Sequence, residues 1–137
     1  MIARDAALAA YEDARIHVQH LSAAESVDAV RAARAAGVKI SCEATPHHLC
    51  ATDEEVRSLD AMRFKMNPPL RAEADRQALI EALRDGTIEC IATDHAPHTM
   101  EEKEVPFEQA AMGVTGLETA FAALHLSLIH ISEPTRH

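Results

Sequence analysis

Three times along its length this sequence passes from a short apolar, β-branched run into a helix-like stretch, and that alternation constrains the fold more than any other feature. Residues 15–19, 38–45 and 87–92 read as strands, each bounded by turn signals or by a polar exit. Around them lie the expected helices. An Ala-rich helix spans 3–14, and a second, opened by the capping box Ser22-Ala23-Ala24-Glu25, buries Val27, Val30 and Ala33 and stops at Gly37. Thr52-Asp53-Glu54-Glu55 reads as another capping box for a short helix. A helix over 75–84 places Leu79, Ile80 and Leu83 on one face and ends at Gly86, and Thr115-Gly116-Leu117-Glu118 opens the last one. Strands that alternate with helices predict an α/β fold, a parallel sheet with right-handed crossovers. All three strands then point the same way, so whatever follows their C-terminal ends gathers at one edge of the sheet, where parallel folds place ligands.

Those ends carry the chemistry. The third strand runs into Thr93-Asp94-His95-Ala96-Pro97-His98, an acid and two imidazoles suited to metal-assisted hydrolysis. The plainer reading, with Asp94 capping a neighbouring backbone and the histidines in solvent, is about as well supported by that run alone. The second strand ends in Thr45-Pro46-His47-His48; adjacent side chains on a strand face opposite ways, so at most one of these histidines is expected to address a shared site. Between them, Lys65-Met66-Asn67-Pro68-Pro69-Leu70-Arg71 carries paired prolines that force a rigid, extended exit and can hold Asn67 still. The same segment also reads as an ordinary Pro-rich connection with Lys65 and Arg71 solvated. The polar stretch 99–113 is long enough for an active-site loop.

Composition excludes several partners. A net charge of -9 and a pI near 5.4 argue against nucleic acid and against an anionic membrane surface. The three cysteines, Cys42, Cys50 and Cys90, form no C-x-x-C pattern and no disulfide framework, which points to a reducing cytosol, with Cys42 and Cys90 expected as small buried hydrophobes. The first residues lack the shape of a signal peptide, and no apolar run approaches the roughly 20 residues of a spanning helix, so a cytoplasmic protein is expected.

Taken in order, His17-Val18-Gln19-His20-Leu21-Ser22, Thr45-Pro46-His47-His48-Leu49, the segment 65–71, Ala92 through His98, and Gly113 with Gly116-Leu117-Glu118-Thr119-Ala120-Phe121 closely resemble the zinc-dependent dihydroorotases of the amidohydrolase superfamily. The related allantoinases and hydantoinases share the barrel, but their counterparts of Lys65-Met66-Asn67-Pro68-Pro69 and of Ala92 through His98 usually read differently. The resemblance implies a partial TIM (β/α)₈ barrel. A whole barrel takes about 250 residues, so residues 1–125 correspond to about its last three β/α units, as a fragment cut at both ends, and alone are expected to be inactive. The first-strand His-x-His pair of the family is absent. Residues 126–137 depart from the family and look like a translated adapter, a non-native tail.

The resemblance also implies roles. The activity would be the zinc-dependent interconversion of carbamoyl aspartate and dihydroorotate in pyrimidine biosynthesis. His20 resembles a zinc ligand, its plainer reading being a histidine packed at a strand end. Asp94 resembles the metal-touching acid that moves the proton. Asn67 and His98 resemble substrate-binding residues, with His98 facing the carboxylate. Met112 and Gly113 match a Phe-Gly pair whose backbone borders the substrate ring; Met in place of Phe is a departure. His47, His48 and His95 read as groups that order loops or ligands. The expected partners are a small-molecule substrate and either a second copy or aspartate transcarbamoylase. Two other readings stay open: an inactive homologue serving as a structural subunit of that transcarbamoylase, and another cyclic-amide hydrolase such as an allantoinase or hydantoinase.

Overall fold

The computed structural model describes residues 1–57 and 61–128. Helix α1 (Ile2–Tyr11) leads into strand β1 (Arg15–Val18), helix α2 (Ala24–Ala35) into β2 (Lys39–Ala44), and the short α3 (Pro46–Cys50) follows directly. Two 3₁₀ turns, Asp53–Arg57 and Ala61–Phe64, precede α4 (Glu73–Arg84), β3 (Cys90–Ile91), the one-turn α5 (Met100–Lys103) and α6 (Ala120–Leu128). The strands form one parallel sheet in the order β1-β2-β3. His17 pairs in register with Ser41, and Glu43 with Cys90. Parallel pairing is what the strand–helix alternation requires.

The core lies between the sheet and its helices. Ile40, Cys42 and Ala44 of β2 pack with Val27 and Val30 of α2, Leu79, Ile80 and Ala82 of α4, and Leu49 of α3, all buried. Each large side chain taken out of water there contributes about 1.5–3 kcal/mol. Gly37 ends α2 as the sequence predicts: at φ +84 it lets its own N–H reach Arg34 O and the Val38 N–H reach Ala33 O, the paired bonds of a Schellman cap.

Four expectations need correction. The Ser22 capping box does not form, because α2 starts at Ala24 with Ala23 as a cap that makes no side-chain bond, and Ser22 is buried in the packed segment before it. The Ala24 N–H is met instead by Asp75 Oδ1 at 2.9 Å, a side chain lent by the first turn of α4. The strand expected over 87–92 shrinks to two residues, since the Asp85 carboxylate takes the Thr87 N–H and Ala82 O takes the Ile88 N–H. His47 and His48 sit on a helix and not on a strand: Thr45 caps it, accepting from the His48 N–H, and Pro46 occupies the first position. Cys90 is exposed, whereas Cys42 is fully buried and its thiol is pushed up to about 11 by that burial.

The long loop 99–113 holds α5, closed by a capping box in which Thr99 and Glu102 exchange bonds. Of the segment set apart as a tail, residues 126–128 continue α6, and the rest lies outside the described residues. No helix among the described residues is long and apolar enough to cross a membrane.

Candidate metal and substrate site

His20 and Asp94 follow the C-terminal ends of β1 and β3, and both have left-handed backbones, at φ 53 and 47. Only Asp13 shares that conformation among the described non-glycine residues. A left-handed non-glycine residue costs of order 1–3 kcal/mol and persists only where surrounding packing imposes it. From these two turns the side chains approach each other. His20 Nε2 lies 3.5 Å from Asp94 Oδ1. That is long for a hydrogen bond, but two ligands of one tetrahedral ion with bonds of about 2.0–2.2 Å stand about 3.3–3.6 Å apart. The donor types and their spacing therefore fit a shared divalent metal.

Behind His20 stands Glu43, which sequence reasoning passed over. It is 7 % exposed, in the central strand. Its Oε1 lies 3.0 Å from His20 Nδ1, and its Oε2 lies 3.1 Å from His17 Nε2. The other nitrogen of His17 is 2.8 Å from Ser41 Oγ. His20 Nδ1 and Glu43 Oε1, although close, are off the hydrogen-bond axis, and among the described residues neither atom has another hydrogen-bond partner. The sequence offers little signal for Glu43, because β2 alternates Lys39, Ser41 and Glu43 with Ile40, Cys42 and Ala44, so the carboxylate reads as a solvent-facing position. Donor atoms of His17, Glu43 and Cys90 also lie within 4.8 Å of one another, a second set able to hold an ion.

The two histidines of α3 serve the loop beside this group. His48 Nε2 lies 2.9 Å from Pro68 O, and a carbonyl can only accept, so Nε2 carries the proton and Nδ1 accepts from Thr45 Oγ1 at 2.7 Å. This clamp fixes the Pro68 end of the Asn67-Pro68 cis bond. Asn67 itself is exposed. Burial lowers the pKa of His48. That of His47 falls to about 3, chiefly through burial, with smaller contributions from His48 and His20, and its Nε2 is buried without a partner. A cleft of about 380 Å³ beside this region is lined by His20, Pro68 and Arg71 together with Ile2 and Ala3 of α1.

The loop supplies a second group. His98 Nε2 donates to Met112 O at 2.9 Å, and its Nδ1 is 3.4 Å from Glu102 Oε2. Gly113, at φ +140, has no room for a side chain: a Cβ would stand 2.7 Å from Ala96 Cβ and 3.0 Å from His98 Nε2. Lys103 organises this loop, a role the sequence hid by placing it among Glu101, Glu102 and Glu104. It is buried, and its ammonium donates to Ala111 O at 3.0 Å, Gly113 O at 2.9 Å and Lys65 O at 3.3 Å. Burial, then the neighbouring Lys65, draws its pKa below the usual lysine range. Lys65 in turn donates to Phe107 O and Glu108 O at 2.7 and 3.0 Å, so it is not the free solvated cation of the plainer reading. His95 Nδ1 accepts from the Gly116 and Leu117 N–H groups at 3.0 and 3.1 Å, tying the Asp94 turn to the entry of α6.

The structure thus joins His20 to Asp94, and His98 to Met112 and Gly113. The segment holding Asn67 connects the two groups through its backbone, with Pro68 O on His48 and Lys65 O receiving the Gly113 N–H at 3.0 Å.

A parallel α/β sheet with an imidazole and a carboxylate converging at its C-terminal edge puts candidate metal ligands where parallel α/β enzymes gather their active sites. The model of the Amidohydrolase family matches residues 3–136, and the chain belongs to that family. It is 52% identical over 134 residues to a dihydroorotase of Listeria welshimeri, a match covering 98% of this chain and 31% of the relative. It is 54% identical over 128 residues to a dihydroorotase of Halalkalibacterium halodurans, covering 93% and 30%. Among solved structures, a D-hydantoinase (dihydropyrimidinase) from Thermus sp. superposes with a TM-score of 0.87 at 29% identity, over 95% of this chain and 30% of that one. A dihydropyrimidinase from Brevibacillus agri gives 0.88 at 25% identity, over 96% and 30%. The chain therefore spans just under a third of the length of the relatives it matches.

Proposed function

We propose that residues 1–125 form the His20- and Asp94-bearing part of a (β/α)₈ barrel that interconverts dihydroorotate and N-carbamoyl-aspartate, a cytoplasmic step of pyrimidine biosynthesis, with residues 126–137 outside that domain. The observation that carries this is the 3.5 Å approach of His20 Nε2 to Asp94 Oδ1, from two strained strand ends, in a chain half identical to dihydroorotases. The metal is proposed to be zinc; when bound, it would bring the pKa of a coordinated water to about 7. A catalytic zinc keeps about three protein ligands, so His20 and Asp94 supply part of a set completed by strands beyond these residues.

Within this reading Asp94 takes the proton of the attacking water and returns it to the leaving amide nitrogen, the acid–base role open to a carboxylate within reach of both. His20 holds its place through the ring nitrogen that faces Asp94. His98, fixed on the Met112 carbonyl, meets the substrate carboxylate, and Asn67 meets its other polar groups. The backbone at Met112 and Gly113 borders the ring. The solved hydantoinases favour a second reading, a hydrolase of other five- or six-membered cyclic amides. A chimera decides between them: residues 1–125 replace the matching segment of the Listeria welshimeri dihydroorotase, and turnover of dihydroorotate, hydantoin and dihydrouracil is followed. Dihydroorotate turnover is expected. A folded, metal-loaded chimera that opens hydantoin or dihydrouracil but not dihydroorotate would refute the first reading.

A further inference from the structure

We infer that Glu43 is a positioning residue that fixes the tautomer and orientation of His20, leaving Nε2 as the lone-pair nitrogen that faces Asp94. The inference rests on the reading of His20 as a metal ligand. Glu43 is buried, and among the described residues no lysine or arginine is paired with it; its partners are two imidazoles, His20 on Oε1 and His17 on Oε2. Carboxylate oxygens accept and imidazole N–H groups donate, so the pairing is satisfied when each nitrogen facing Glu43 carries the hydrogen. His20 Nδ1 and Glu43 Oε1 stand 3.0 Å apart off the hydrogen-bond axis, both buried; with a proton on Nδ1 a small ring rotation lets each satisfy the other, whereas the opposite tautomer leaves two buried acceptors there with no donor between them. The proton therefore belongs on Nδ1, and the lone pair on Nε2, 3.5 Å from Asp94 Oδ1.

The carboxylate is itself held. On its far side His17 presents Nε2 at 3.1 Å, and His17 is anchored through Nδ1 on Ser41 Oγ at 2.8 Å, directly across from it in the β1–β2 register. A line of polar contacts runs Ser41–His17–Glu43–His20–Asp94, from within the β1–β2 ladder to the residues that follow β1 and β3. Carboxylates that orient metal-binding histidines raise ligand basicity and, when removed, typically weaken metal binding by about 10–100-fold.

The test uses the full 137-residue chain labelled with ¹⁵N-histidine. In the metal-free chain, the His20 ring should be the Nδ1–H tautomer. Glu43→Met should shift it toward Nε2–H and weaken zinc binding by about 10–100-fold, while Glu43→Gln, whose amide oxygen can still accept, should restore part of both. Cys90→Ser should change neither, which separates this role from ion capture by the His17, Glu43 and Cys90 set. An Nε2–H ring in the unaltered chain, or a tautomer indifferent to both Glu43 variants, overturns the inference. A tautomer shift with zinc affinity unchanged would leave Glu43 orienting the ring and would instead sink the reading of His20 as a ligand.

Discussion

Replacing Lys103 by Met should loosen the loop that carries His98 and Gly113. The ammonium reaches three carbonyls, and their fates differ. Lys65 O keeps the Gly113 N–H as a donor, whereas among the described residues Ala111 O and Gly113 O have no other backbone donor. Leaving these two acceptors unsatisfied, one buried and one half-buried, costs about 1–3 kcal/mol each, with the half-buried one at the lower end. Removing a buried charge gives some of that back, so a net loss of about 2–4 kcal/mol in loop stability is expected. The readout is hydrogen exchange at the Gly113 amide, whose bond to Lys65 O breaks when the loop opens. That loss corresponds to exchange faster by roughly 30- to 1,000-fold. Amides in α2, on the far side of the core, should change little. Lys103→Arg should not restore protection, because a planar fork does not fill a site shaped for a compact ammonium. An acceleration of less than about threefold at Gly113 would show that the three contacts do not hold the loop.

Further outcomes follow from the same geometry. In the chimera, Gly113→Ala should raise the KM for dihydroorotate with zinc content unchanged, since the new methyl would meet Ala96 and displace His98; an unchanged KM would argue against the backbone at Met112 and Gly113 bordering the substrate. Asp94→Asn should lower kcat by about 10²–10⁴-fold, and turnover within about tenfold of the parent would remove Asp94 from proton transfer. Metal analysis of His20→Ala, Asn67→Ala and His98→Ala should find zinc loss in the first alone, with weaker substrate binding in the other two. Stability should fall on acidification between about pH 6.5 and pH 3, where an unfolded His47 takes up a proton that the folded site refuses until about 3. At pH 5 the unscreened linkage would be about 2 kcal/mol; with the ring partly exposed about half of that is expected, and urea titrations of the parent and His47→Gln at pH 7 and pH 5 should differ by about 1 kcal/mol.

The strand–helix alternation was legible because Ile40, Cys42 and Ala44, or Val27, Val30 and Ala33, repeat with the period of the element they occupy. Boundaries were less so. β3 loses its first half to the Asp85 carboxylate, and Thr45-Pro46, a cap followed by a first-position proline, reads in the sequence as a strand exit. His20 and Asp94 stood out as polar groups at apolar strand ends. Glu43 did not, because a lone carboxylate in an alternating strand resembles a solvent-facing position until the neighbouring strand brings His17 and His20 to it. Lys103 was hidden for the converse reason: in a run of glutamates a lysine reads as solvated, and only the folded loop reveals three carbonyls around it. Asp75, lent to the N-terminus of α2 across 51 positions of sequence, leaves no local trace at all.

The central claim is that His20 and Asp94 share one metal ion, and anomalous diffraction at the zinc edge from crystals of the zinc-loaded chimera tests it most directly. A single peak within about 2.0–2.2 Å of both His20 Nε2 and an Asp94 carboxylate oxygen is expected. A peak seated instead among His17, Glu43 and Cys90, or zinc bound by His20 with Asp94 turned away, would contradict it.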